Sequence, residues 1–325
     1  MDEIDLIETL FAPLARDPGA RALRDDAATI EGAFVVTADA LVECVHFLPD
    51  DPLDLVARKA LRVNLSDLAA KGAQPFAILL SLMWPDVRSE RDLALFAAGL
   101  GADLDAYGAT LLGGDTTATP GPLSVAVTAF GKPFAARTPS RSDARVGDDV
   151  WVTGAIGDAG LGLIAARGDL PGLSPEDRAA LIARYRLPAP PVCFASAIAA
   201  HARASMDVSD GLIGDAAKLA AASGLRLRLE AAAVPLSPVA QRAAAMAGLA
   251  GPALVDRGDD YEILFTAAAA ARAAILAAAA AAGVVVTRIG AVETGTGVAW
   301  VSPDGAVATF ARGGYRHRLG GQGGA

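Results

Sequence analysis

The sequence predicts an α+β protein built as two halves joined near residue 140. Three observations lead there. Apolar runs bounded by turn residues alternate with stretches of helical spacing along the chain, in mixed order. The stretch Lys132 to Asp149 is rich in Pro, Arg, Ser and Asp and reads as a linker between two such series. The length, 325 residues, suits one large domain or two medium ones. No repeat of 20–50 residues is visible.

Taken in order, Asp2 to Ala15 carries Ile4, Leu6, Ile7, Leu10, Phe11 and Leu14 at helical spacing. Ala33 to Thr37 reads as a short strand. Asp51-Pro52 looks like an N-cap followed by proline at the first helical position, and Gly72 sits where that helix should stop, roughly five turns later. Phe76 to Met83 is a strand, Glu90 to Tyr107 a second helix, and Leu111-Leu112 and Leu123 to Phe130 are strands flanking a Gly-Gly-Asp-Thr-Thr loop. Beyond the linker, Val150 to Thr153 is a strand, Gly154 and Gly157 make a turn, and Asp158 can cap the next helix. Helices follow at Pro175 to Arg184, Pro191 to Ala202 and Gly211 to Ala222, then a strand at Leu225 to Leu229. Tyr261 to Thr266 and Val284 to Ile289 are strands around the Ala-rich helix of Ala267 to Ala282, and the Gly-rich tail from Gly320 reads as frayed.

Composition excludes several classes. The net charge of −9 and the absence of a long basic run argue against nucleic-acid binding. Aromatic residues are only 5% of the chain, so Ala, Leu and Val must fill the core. Cys44 and Cys193 have no metal-ligand spacing and imply no disulfide framework, which suits a reducing cytoplasm. Met1 to Leu10 carries acids where a signal peptide has a basic region, and the Ala-rich helix is interrupted by Arg272, so neither secretion nor a membrane span is expected.

Short acidic clusters, each beside a turn or a helix end, point to chemistry. They are Asp25-Asp26, Thr37-Ala38-Asp39, Asn64-Leu65-Ser66-Asp67, Gly113-Gly114-Asp115-Thr116-Thr117, Asp207-Val208-Ser209-Asp210-Gly211 and Gly258-Asp259-Asp260-Tyr261-Glu262. Carboxylates and hydroxyls in such places are the hard oxygen ligands Mg²⁺ prefers. Each also has a plain reading. Asp67, near a helix C-terminus, opposes the macrodipole at a cost of about 0.3–1 kcal/mol and can be a solvated polar face or a metal ligand. Asp25-Asp26 and Asp39 can be solvated loop acids. Gly-Gly-Asp-Thr-Thr can be a hairpin turn, or a close backbone approach beside hard oxygens. Asp207 to Gly211 can be an N-cap, although one cap needs one oxygen and three side chains are present. Gly258 to Glu262 can be a turn with solvated acids. His46 is a candidate for contacting a polar ligand, although a lone histidine is more often structural, and His201 and His317 show no ligand spacing. Gly154-Ala155-Ile156-Gly157 departs from the dinucleotide fingerprint and reads better as a tight strand–helix turn. There is no P-loop and no protein-kinase motif set. An acidic site would repel a polyphosphate by about 4 kcal/mol per charge pair at 4 Å and an effective dielectric of 20, unless metal ions lie between.

In order and spacing these clusters resemble the thiamine-monophosphate kinase family, within the superfamily of aminoimidazole ribonucleotide synthetase, from Ile4 to about Tyr315. The carrying segments are Thr37 to Asp39 with His46-Phe47-Leu48-Pro49, Val63 to Ala70, Gly113 to Thr117, Asp207 to Leu212 and Gly258 to Glu262. The resemblance implies the two-domain α+β synthetase-like fold: residues 1–137 form an N-terminal half building a β-barrel across a homodimer, and residues 138–325 a C-terminal α/β half. It implies ATP- and Mg²⁺-dependent phosphorylation of thiamine monophosphate, with several Mg²⁺ per site held by Asp26, Thr37, Asp39, Asp67, Asp115, Asp207 and Asp210. ATP contacts would be Gly114, Asp115, Arg141 and Ser209, and substrate contacts His46, Asp259 and Tyr315. No catalytic base is assigned, because a phosphate oxygen is already anionic at neutral pH. Three positions depart from the family pattern: Arg24 stands where glycine is usual, Ala38 where a hydroxyl is usual, and Asp259 where glutamate is common. The rival readings are another chemistry of the same superfamily and a non-catalytic metal–nucleotide module. The lack of a cysteine before Cys44 weighs against selenophosphate formation.

Overall fold

A computed structural model describes residues 7–170 and 172–315. The expected N-terminal helix falls partly outside them. Within them, Ile7–Phe11 makes one π-helical turn and Ala12–Leu14 a 3₁₀ turn, with Pro13 and Pro18 cutting short any α-helix. The tail from Gly320 lies outside the described residues.

The first half is a five-stranded sheet with two helices. Strand β1 (Ala28–Ile30), too short to be read from sequence, pairs in a tight hairpin with β2 (Phe34–Val42). Strand alternation puts Val35, Thr37, Asp39 and Leu41 on one face of β2. Helix α1 (Leu53–Ala70) follows, then β3 (Ala73–Pro85), α2 (Glu90–Tyr107), β4 (Thr110–Thr119) and β5 (Ser124–Pro133). The strand order is β1-β2-β5-β3-β4, and only β3 and β4 run parallel, connected through α2. A Ser89–Asp92 capping box starts α2, and Gly108 in the left-handed region ends it.

Two expectations change here. Asp51 does not cap α1: Pro52 is the cap residue, and the Asp51 carboxylate accepts from Leu48 N and pairs with Arg186 instead. Gly-Gly-Asp-Thr-Thr is not a loop between strands but the middle of β4. A Cβ on Gly114, at φ +150, would fall 1.7 Å from the Leu80 carbonyl oxygen, so glycine lets the two parallel strands close. Thr110 to Ala118 are all exposed, one edge of β4 has no partner strand among the described residues, and an apolar groove of about 320 Å³ lined by Leu80, Leu93, Phe96, Leu104 and Leu111 runs beside it.

The second half is built on a seven-stranded sheet. In chain order its elements are β6 (Asp148–Thr153), α3 (Asp158–Ala166), α4 (Pro175–Arg186), α5 (Ala195–His201), β7 (Ser205–Val208), α6 (Leu212–Ser223), β8 (Arg226–Glu230), α7 (Pro238–Ala247), α8 (Pro252–Val255), β9 (Glu262–Ala268), α9 (Arg272–Ala282), β10 (Val286–Glu293), β11 (Gly297–Val301) and β12 (Val307–Phe310). The strand order is β12-β11-β8-β10-β6-β9-β7, antiparallel except between β8 and β11. The Ala-rich helix is shorter than its sequence suggests, because Ala267 and Ala268 belong to β9. Strands β7, β11 and β12 and helices α7 and α8 were not anticipated.

Helix α1 joins the halves. It packs on β2 and β5 on one side and on β7 and β9 on the other, so it is buried nearly all round. Arg58 and Arg62 on α1 both pair with the buried Asp103 on α2, which fixes the two helices against each other. Breaking such a buried pair from one side typically costs about 3–5 kcal/mol.

Candidate active site

The acidic clusters meet where α1 passes between the halves. Asp26 comes from the segment before β1, Thr37 and Asp39 from β2, Asp67 from the last turn of α1, and Asp207 from the end of β7. One carboxylate oxygen from each of Asp26, Asp67 and Asp207 lies within 4.8 Å of the others. The Thr37 hydroxyl donates to Asp67 Oδ2 at 2.5 Å, and the Asn64 side chain accepts from Asp39 N at 3.1 Å. Asn64, Ser66 and Asp67 are all buried, so this polar turn of α1 is not a solvated face. Asp210 stands next to the cluster on the loop after β7. Three backbone amides of that loop, from Ser209, Asp210 and Gly211, donate to the Asp215 carboxylate and hold its shape.

Crowding these acids together has an electrostatic cost. Burial, then Asp207, Asp39 and Asp26, hold the Asp67 carboxyl well above the usual range. Burial, then Asp26, Asp215 and Asp39, do the same to Asp207. Asp39 faces the open cleft, yet desolvation by its walls, then Asp26 and Asp210, push it up to about 6. The donor set is all hard oxygen, and Asp26 Oδ2 is buried with the Lys71 ammonium as its ion-pair partner. These residues therefore fit a divalent cation such as Mg²⁺, which would invert the local electrostatics.

Protein cations also reach the cluster, and sequence reasoning missed most of them. Lys71, the residue after α1, is 1% exposed and contacts Asp25 Oδ1 at 2.5 Å and Asp26, while donating to the Ser205 carbonyl at 2.6 Å. Burial alone would raise Asp25, but Lys71 and Arg21 outweigh it and bring the carboxyl down to about 2. Lys218 on α6 bridges Asp210 and Asp215. Arg141, expected to contact ATP, donates from Nε to Asp26 Oδ1 at 2.9 Å. It therefore lies at the cluster.

The three expected substrate contacts gather around the same loop. Asp259 N donates to Ser209 O at 2.8 Å, and Tyr315 N donates to Asp210 O at 3.0 Å. Lys59 on α1 links His46 to Asp259: its buried ammonium donates to the His46 carbonyl at 3.0 Å and to Asp259 Oδ2 at 3.2 Å, 4.3 Å above the Tyr185 ring. The Tyr261 hydroxyl lies 3.3 Å from Asp259 Oδ1. Lys59 and Tyr185 were not singled out from sequence, since each looks like an ordinary helix residue, and Tyr261 was named only as part of the Gly258 to Glu262 motif. Lys59, Tyr185 and Tyr261 are buried, so this group of cation and rings supports Asp259 from the protein side.

One expected piece stands elsewhere, and the Gly154 to Gly157 segment is the tight strand–helix turn its sequence suggests. Asp115 lies on β4, with β5 and β3 between it and the β2 strand of Asp39. At about 4.8 Å per strand the separation is about 14 Å, so within one chain Gly114 and Asp115 do not join the cluster. The turn at Gly154 to Gly157 holds no phosphate cradle. Its amide donors at Gly157 and Ala159 point at the buried Asp260, which does the capping expected of Asp158. Asp158 accepts from Ser237 instead.

Comparison with known proteins agrees with this geometry. Residues 24–132 match the family described as AIR synthase related protein, N-terminal domain, and residues 145–301 match its C-terminal domain. A thiamine-monophosphate kinase of Caulobacter vibrioides is 42% identical over 307 residues, covering 91% of this chain and 86% of its own length. The solved structure of AaThiL complexed with AMPPCP and TMP superposes with a TM-score of 0.84 at 29% identity, covering 98% of this chain and 97% of that one. Thiamine-monophosphate kinase from Stenotrophomonas maltophilia gives 0.75 at 35% identity, covering 92% and 98%. With its acids converging at the seam of a two-half synthetase-like fold, and with these relatives along nearly its whole length, the chain belongs to the thiamine-monophosphate kinase family.

Proposed function

We propose that this chain transfers the γ-phosphoryl group of ATP directly to the phosphate of thiamine monophosphate, yielding thiamine diphosphate and ADP, the last step in making that cofactor. The observation that carries the reading is a buried carboxylate cluster with Asp259 and Tyr315 held by backbone hydrogen bonds to the adjoining loop at Ser209 and Asp210. The AaThiL structure holds AMPPCP and TMP together, which fits a direct transfer between two bound substrates.

In this reading Asp26, Thr37, Asp39, Asp67, Asp207 and Asp210 hold Mg²⁺, which supplies charge neutralisation for the phosphates. Arg141 and Ser209 face the nucleotide, while His46, Asp259 and Tyr315 face the thiamine. The protein contributes position and electrostatics, and the acceptor oxygen needs no dedicated base. Gly114 and Asp115 enter the site from a second copy of the chain. Strand β4, exposed on both faces and unpaired at one edge, is a template for a partner strand, so the working form is a homodimer. The domain division falls at residue 137, between the two sheets, and the enzyme works in the cytoplasm.

The first test is the acceptor. With ATP and Mg²⁺, ADP formation should depend on thiamine monophosphate and fall to background with unphosphorylated thiamine. Equal ADP release without thiamine monophosphate would leave a nucleotide-binding module or a different synthetase chemistry as the better description.

A further inference from the structure

Lys71 stands out among the buried charges. It is 1% exposed, it lies outside the loops that carry the acids, and its contacts are two consecutive carboxylates and one carbonyl. Asp26 is also one of the three acids whose oxygens converge within 4.8 Å. The Lys71 ammonium therefore touches the very carboxylate that closes the cluster, from the protein side, where solvent does not reach. Arg141 occupies the other oxygen of Asp26, but its side chain is partly exposed and can move toward solvent. Lys71 has no such freedom, because the Ser205 carbonyl on β7 and Asp25 hold it on two further sides.

Resting on the divalent-ion reading above, we propose that Lys71 is a resident cation of the carboxylate cluster. It holds Asp25 and Asp26 together when no divalent ion is bound, and it keeps the affinity of the cluster for divalent ions below what the carboxylates alone would give. The reasoning is electrostatic. A fixed positive charge at Asp26 lowers the net negative charge a metal ion meets and shares one of its ligands. It also relieves repulsion among acids that would otherwise be buried close together with only the partly exposed Arg21 and Arg141 beside them among the described residues. Kinase turnover requires metal-bound nucleotide and product to leave, and a cluster of bare carboxylates would retain its ions more tightly.

The test uses Mn²⁺ binding, followed by electron paramagnetic resonance without nucleotide, in the full-length protein. Lys71→Met and the milder Lys71→Gln, which keeps a donor for the Ser205 carbonyl, should each lower the Mn²⁺ dissociation constant by about tenfold, equivalent to ~1.4 kcal/mol. Lys71→Arg keeps the charge and should stay within about twofold of the parent protein, against the tenfold that 1.4 kcal/mol represents. In EDTA the two neutral variants should melt below the parent, and saturating Mn²⁺ should close that gap, since a ligand bound only by the folded state stabilises it. If Lys71→Met does not fold in EDTA, the Lys71→Gln titration decides. Unchanged or weaker Mn²⁺ binding in the neutral variants would overturn the proposal and make Lys71 a purely structural pair for Asp25. A parent protein that binds no Mn²⁺ would remove the divalent site itself, a separate failure that the same titration reads directly.

Discussion

Asp67 meets two unfavourable terms at once: a helix C-terminus, costing about 0.3–1 kcal/mol, and a crowd of buried acids that pushes its carboxyl upward. The Thr37 hydroxyl offsets only part of this, since the Asp67 carboxyl stays raised, so its use lies in the bound state. Asp67→Asn is expected to lower turnover at least tenfold, about 1.4 kcal/mol of barrier, while leaving the melting temperature in EDTA unchanged or higher. Wild-type turnover at limiting Mg²⁺ would return Asp67 to a passive role. Lys59 carries a different expectation. Its ammonium ties His46 to Asp259, the two residues proposed to face the thiamine, so Lys59→Met should raise KM for thiamine monophosphate much more than KM for ATP. Equal losses for both substrates, measured by varying each in turn, would mean that it only supports α1. The acids were legible in the sequence because they come in short runs whose oxygens outnumber any capping need. The lysines that answer them were not. Lys71 looks like a cation completing a helix C-terminus and Lys218 like an i,i+3 surface partner of Asp215, and only folding shows that both are spent on the site.

Among elements, the first turn of α3 shows how a phosphate-like motif can be satisfied internally. Gly157 N and Ala159 N donate to Asp260, whose burial pushes its carboxyl up to about 8. A raised carboxyl contributes stability that is complete below its unfolded value, 3.8, and is lost as pH rises toward about 8. Asp260→Asn mimics the neutral acid. It should flatten the fall in melting temperature between pH 5 and pH 8.5 relative to the parent, and parallel curves for the two proteins would show that Asp260 is not the titrating group. The helix Glu90 to Tyr107 was readable to the residue, because a capping box and a terminal glycine bracket a clear period. Strand β4 was misread because Gly-Gly-Asp is ordinary turn chemistry; only the neighbouring Leu80 carbonyl, remote in sequence, explains why a strand needs glycine there. The three- to five-residue strands β1, β7, β11 and β12 carry too few positions to show an alternation.

At the scale of the whole molecule, the seam between the halves is the functional feature, and α1 makes it by burying one side against each sheet. The order of acidic motifs pointed to this meeting of halves through a family resemblance; periodicity and spacing alone do not bring residues 26, 67 and 207 together. The exposed β4 and the apolar groove beside it call for a second copy, so sedimentation should report a dimer at micromolar concentration, and a strict monomer there would leave Asp115 without a site to enter. Phosphoryl transfer between two bound substrates is the central claim, and phosphorus NMR of the completed reaction tests it most directly. With ATP, thiamine monophosphate and Mg²⁺, the spectrum should show the diphosphate resonances of thiamine diphosphate growing in equal amount with ADP, with no inorganic phosphate. Inorganic phosphate in place of the new diphosphate would contradict the account.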